Sequence, residues 1–246
     1  MKNTPRFALL PLLASLLFAL LAQATEKPSF KLARLKWSED EAKYNARPSA
    51  LARLSYELVR RTSIEADVQT ADVEPKERNL FDFPLVFMSV SAPLPSFSEQ
   101  TINNIAQWLL SGGSLVIDAS SSEANESIRA FAASLFPKDS LQKISTDNVL
   151  FKTFYLLEAP YGRRSSPPYI EGIIRDGRIV LLYSQLDMEG AWARDAFGNW
   201  EFTMDSQSGN ERELAIRFGV NIVMYALCFD YKNDAVHLPF ILKRRR

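Results

Sequence analysis

The sequence predicts an α/β domain of the doubly wound class, with a mostly parallel sheet to which an antiparallel hairpin is added. Three observations predict it. The runs Leu85–Val90 and Ser114–Asp118 are short and continuously apolar, as expected of strands covered on both faces. Between them Ile102, Ile105, Ala106 and Leu109 form a helical stripe that ends at Gly112-Gly113, so strand, helix and strand make a right-handed βαβ unit. Later, Tyr169–Ile174 and Arg178–Tyr183 flank Arg175-Asp176-Gly177, whose Asp-Gly pair suits a hairpin turn.

The remaining elements fit that frame in order. Phe30–Trp37 reads as the first strand, with Phe30 and Leu32 on one face and, after a slip, Leu35 and Trp37. Pro48 opens a helix in which Leu51, Leu54 and Leu58 share a face, while Arg53, Glu57, Arg60 and Arg61 point away. Glu65–Val73 alternates enough for a short edge strand, and Glu74–Asn79 is a polar loop. Pro93 and Pro95 then break the chain, and Ser96 or Ser98 caps the next helix. Glu123–Leu135 carries Ile128, Phe131, Ala132 and Leu135 at helical spacing and stops at Phe136-Pro137. The last helix, Glu211–Phe229, has Leu214, Phe218, Ile222 and Tyr225 on one stripe and Ile216, Val220, Val223 and Leu227 on others, which predicts burial nearly all round.

The N-terminus has a different character. Lys2 and Arg6 precede an apolar run from Phe7 to Ala22, and Ala22-Gln23-Ala24 is a small-x-small cleavage pattern. The run is shorter than the roughly 20 apolar residues of a membrane-spanning helix. We therefore expect a signal peptide over residues 1–24, cleaved after Ala24, and a single periplasmic or secreted domain over 25–246. The alternative is an uncleaved anchor, in which case this segment alone meets the membrane. Cleavage removes Lys2 and Arg6, so 29 basic against 29 acidic residues becomes 27 against 29, a net charge of −2. That balance, with one basic block at Lys243–Arg246 read as a solvated tail, argues against nucleic acid. Cys228 stands alone among apolar neighbours, so no internal disulfide is expected and its thiol is predicted to be buried.

Ligands of an open parallel sheet sit beyond the C-terminal ends of its strands, which directs attention to Ser89, Ser91, Asp118 and the loops after them. Asp118 can bind a ligand or activate water, or it can cap the turn Ala119–Ser122. The segment Ser184–Asp195 collects Asp187, Glu189, Asp195, Arg194 and Trp192. It suits a polar pocket with an aromatic wall, or a loop in which Asp187 accepts backbone amides and Trp192 plugs the core. Asn221 lies on an apolar stripe and needs partners, from a loop it ties down or from a ligand. Candidate binding residues are thus Ser91, Asp118, Asp187, Trp192, Asp195 and Asn221.

No catalytic residue is assigned. There is no Gly-x-Ser-x-Gly or Gly-x-Cys-x-Gly elbow, Cys228 falls late in a helix, and the single His237 lies near the C-terminus. One His and one Cys rule out the usual zinc sets, and Asp195, Asn199 and Glu201 lack the spacing of a calcium loop, so no metal is predicted. Gly112-Gly113 has no third glycine and no Lys-Ser behind it, so no phosphate loop and no cofactor is predicted.

Several stretches in order carry a resemblance: Trp37 with Tyr44–Leu51, Gly112-Gly113-x-Leu-x-Ile-Asp118, Asp147–Leu157, Arg217–Leu227, and Tyr231-Lys232-x-Asp234-x-Val236-His237-x-Pro239. They resemble the bacterial domain-of-unknown-function 4159 family across essentially the whole chain after the signal. The resemblance implies a flavodoxin-like fold of the class I glutamine-amidotransferase type. It also implies relatives that are membrane-anchored and encoded near MoxR-type ATPases and von Willebrand A-type proteins. An amidotransferase needs a cysteine elbow with downstream His and Glu, and this sequence has none, which argues against glutaminase chemistry. The expected function is a non-catalytic periplasmic module that engages a protein partner or small ligand through the loops around Ser91, Asp118 and Asp187. The alternative is a hydrolase with Asp118 as base and Asp187 or Glu189 as its partner.

Overall fold

A computed structural model describes residues 30–206 and 209–243, with the side chains of the last helix described as far as Cys228. The expected signal segment, the His237 side chain and residues 244–246 of the basic tail lie outside the described residues.

The chain runs β1 (Phe30–Leu35), α1 (Glu41–Tyr44), α2 (Ala50–Arg61), β2 (Ala66–Val73), β3 (Leu85–Val90), α3 (Glu99–Leu110) and β4 (Ser114–Ala119). It continues through α4 (Asn125–Leu135), β5 (Gln142–Lys143), β6 (Glu171–Arg175), β7 (Arg178–Ser184), α5 (Met188–Trp192) and α6 (Glu211–Lys243). Among the described residues the strands form one seven-stranded sheet in the order β2-β1-β3-β4-β7-β6-β5. Strands β2, β1, β3, β4 and β7 are parallel, whereas β6 and β5 are added antiparallel. The parallel part has the flavodoxin-like order, with its topological switch between β1 and β3.

The hairpin between β6 and β7 forms because Asp176 (φ 50°) and Gly177 (φ 77°) both adopt the left-handed conformation that a tight, right-twisted turn requires. In the other strands a period of two sorts the side chains. Phe87, Val116 and Leu182 face a core shared with α2, α5 and α6, while Val86, Met88, Leu115, Ile117 and Tyr183 face α3 and α4. Helices therefore cover both faces, and β2 lies at an edge as its weak alternation suggested.

The short elements α1, β5 and α5 were not expected, and α6 runs past Phe229 to Lys243. Two further details differ from expectation for tertiary reasons. Glu57 is buried, because α6 packs alongside α2 and turns that flank into an interface. Its carboxylate receives Arg53 and Arg61, and Arg61 also reaches Glu213 of α6 at 2.6 Å. The Arg61 guanidinium holds the Glu213 carboxyl down to about 2. Cys228 is half-exposed rather than buried. Tyr225 meets the start of β7, its hydroxyl accepting the Ile179 N–H at 3.0 Å, and beyond it burial falls off, with Ala226 and Leu227 only partly buried against the core. Among the described residues no helix is long and apolar enough to cross a membrane.

The contact of α6 with α5 and α2 depends on Gly219, where a Cβ would come within 2.6 Å of the Trp192 ring and 2.8 Å of Leu54. Gly219→Ala is expected to lower stability by about 1–3 kcal/mol through overpacking. Urea unfolding checks this as a lower midpoint at unchanged slope.

Candidate functional site

The register of the sheet builds a polar row at its C-terminal edge. Ser89 of β3 pairs with Asp118 of β4, and Asp118 pairs with Ser184 of β7. By the period of two, these side chains share the face of Phe87, Val116 and Leu182, where α5 lies. On the same face β1 contributes Arg34, which is 2 % exposed.

The short helix α5 supplies what this row binds. It is buried at all five positions and starts from Asp187, a non-glycine residue at φ 48°. The Asp187 carboxylate accepts the Gly190 N–H at 3.2 Å, and a Cβ at position 190 would overlap that carboxylate. Its other oxygen receives Arg47 at 3.3 Å and Arg163 at 2.5 Å. Asp118 reaches across from β4 and accepts the Glu189 N–H at 2.8 Å. Two carboxyl groups thus accept orphan N–H groups at the N-terminus of one helical turn.

Glu189 points into the switch-point crevice between β1 and β3. The Ser89 hydroxyl donates to its carboxylate at 2.6 Å, and Arg34 lies 3.8 Å from its second oxygen. Arg34 is shared with Asp72 of β2 at 3.8 Å, and the Trp37 indole closes over the same place by donating to the Ser89 carbonyl at 2.8 Å. Asp118, Asp187 and Glu189 are all buried, at 3 %, 0 % and 1 % exposure.

Burial shifts two of these carboxyl groups toward the protonated form. Desolvation pushes the Asp118 carboxyl up to about 8, reinforced by the charges of Asp187 and Glu189. Desolvation also raises Glu189, against the opposing pull of Arg34 and the Ser89 hydroxyl. One oxygen on each, Asp118 Oδ1 and Glu189 Oε2, makes no hydrogen bond. A proton on Asp118 removes the charge that this unsatisfied oxygen would otherwise leave buried.

The candidate residues read from the sequence separate into two groups. Asp118 and Asp187 come together at α5. Ser91 spends its hydroxyl on the Ala42 and Lys43 carbonyls at the end of α1. Trp192 is fully buried edge-on to Phe87 and donates to the Ala215 carbonyl at 2.9 Å. Asp195 organises an exposed turn by accepting the Phe197 and Asn199 N–H groups. Asn221 accepts the Tyr155 N–H at 2.8 Å and donates to the Leu150 and Tyr155 carbonyls, so it ties the 150–155 loop to α6. Among the described residues no group of His, Cys, Asp or Glu is arranged to hold a metal ion.

Sequence reasoning passed over Arg34, Arg47 and Arg163, the cations of the cluster. Arg34 left one signal, a charge on the strand face that also carries Phe30 and Leu32. Arg47 and Arg163 left none, since both come from loops far from α5 in the chain.

Fold and site together define a flavodoxin-like α/β domain whose switch-point crevice is filled by a carboxylate of its own chain. The chain belongs to the family described as domain of unknown function DUF4159, whose model matches residues 31–227. Comparison with curated proteins gives no match.

Asp118→Asn tests the protonation argument. A group whose folded pKa lies above its unfolded value of 3.8 favours the folded state at low pH, and that stability is lost as pH rises toward the folded value of about 8. Wild-type stability should therefore fall between about pH 5 and pH 8. The isosteric amide should flatten that fall and match or exceed the wild type at the upper end. Urea midpoints across the pH series report both.

Proposed function

We propose that this domain is a non-catalytic binding or protein-interaction module, exported to the periplasm or secreted through residues 1–24. The observation that carries this reading is Glu189 in the switch-point crevice, held by Ser89 and Arg34 where sheets of this order take their ligands. The carboxyl groups beyond the strand ends are taken up by backbone amides, the Ser89 hydroxyl and arginines, and they are withdrawn from solvent. Recognition then falls to the outer loops around this closed centre, for which the occupied crevice acts as a rigid base.

A second reading is favoured by one observation. Asp118, pushed up to about 8, favours its protonated form at neutral pH, which suits a general acid rather than the base expected from the sequence, with Asp187 or Glu189 as its partner carboxylate. It requires α5 to move away so that substrate can enter.

The purified full chain, offered amide, ester and glycoside substrates, is expected to turn over none of them, and affinity capture from the envelope fraction should return a reproducible partner. Hydrolysis that disappears in Asp118→Asn and Asp187→Asn, with the fold intact by circular dichroism, would establish the second reading instead. Export is checked by the N-terminal sequence of the secreted chain, which should begin at Thr25.

A further inference from the structure

Beside the closed centre a second, open place is built from the loop that precedes β6. The segment is seated by two backbone hydrogen bonds, Arg163 N–H to the Asp187 carbonyl at 3.2 Å and Arg164 N–H to the Leu186 carbonyl at 2.8 Å. Gly162 permits this approach, since a Cβ there would overlap the Leu186 carbonyl. The loop is therefore fixed to the turn that positions α5, and it walls a cleft of about 230 Å³.

The two arginines of this loop have different tasks. Arg163 turns inward to Asp187 and also meets Asp205 at 3.5 Å. Arg164 lines the cleft, is only partly exposed, and makes no side-chain hydrogen bond or ion pair among the described residues. Pro160, Tyr161, Pro168 and Met204 give the lining its apolar part. Glu211, at the first position of α6, stands on the rim and receives the Ser206 hydroxyl at 2.8 Å.

We propose that this cleft binds a small monocarboxylate with an apolar body, its carboxylate on Arg164 and its body against Tyr161 and Met204. The proposal rests on the binding-module reading and names the ligand chemistry for it. A guanidinium presents paired N–H donors that match a carboxylate in two parallel hydrogen bonds. Proline, tyrosine and methionine supply an apolar wall of the kind that buries most of a small ligand. Glu211 on the rim brings a carboxylate that opposes a second negative group, so a dianion such as phosphate is disfavoured. Free apolar amino acids and the C-terminal residue of a peptide share this chemistry.

The test titrates the full chain by calorimetry with N-acetyl-leucine, leucine, acetyl-Ala-Ala-Leu, the amide-capped form of each, and inorganic phosphate. The acids should bind and the amides and phosphate should not, and preference for the tripeptide or for leucine identifies the source. Arg164→Gln should weaken binding about 10-fold to 100-fold, the loss of a charge-assisted hydrogen bond, and Arg164→Lys should recover part of it. Unchanged thermal unfolding of both variants shows that the fold is not what was lost. Equal binding of acid and amide, indifference to Arg164→Gln, tighter binding of phosphate, or no acid bound up to about 10 mM overturns the proposal. In each of those cases a captured partner without hydrolysis leaves the binding-module reading standing, whereas hydrolysis removes that reading whatever the acids do.

Discussion

The Glu189 carboxylate is buried at 1 % exposure in the middle of the sheet edge, and the surrounding structure is arranged to tolerate it. An isolated buried charge is costly, and leaving one partnerless in such a site costs about 3–5 kcal/mol. Here the Ser89 hydroxyl and the Arg34 guanidinium share the task, one from β3 and one from β1. Those two strands diverge in connection at the switch point, which is the gap that Glu189 enters. Once Glu189 is in place, the position of α5 follows. Asp118 accepts its backbone N–H, Asp187 caps the helix from a left-handed conformation, and Gly190 leaves room for that cap.

The same constraint radiates outward through the arginines. Arg47 and Arg163 answer Asp187, and each arrives on a loop that this contact fixes against the body of the domain. The loop carrying Arg163 is the one that presents Arg164 to the open cleft, so a buried ion cluster and a surface recognition site share a single segment. Buried ionic networks of this kind contribute little net stability compared with an apolar core of the same shape.

Much of the frame was legible in the sequence because it follows from local rules. The βαβ unit over residues 85–119 came from apolar runs and a glycine pair, and the β6–β7 hairpin from one Asp-Gly. Asp118 and Asp187 could be singled out because they end or follow strands, and strand ends are where such sheets do their work. Their joint role could not be read that way. Arg34 and Glu189 are 155 residues apart in the sequence and meet at 3.8 Å only because β1 and α5 are brought to one edge. Glu57 shows the same limit on a smaller scale: its helical position predicts solvent, and only the arrival of α6 buries it.

By itself the sequence determined the class of fold, its long strands and helices though not α1, β5 or α5, the family resemblance, and the lack of a nucleophile elbow, since each depends on residue type and short spacing. The tertiary structure decided which carboxylates face one another, which arginine neutralises each, and that the crevice of this sheet is occupied from within. The physical reason is that burial and charge pairing are properties of distance in space. A carboxyl pushed up to about 8 and one held down to about 2 are the same chemical group, told apart only by what the fold places around them.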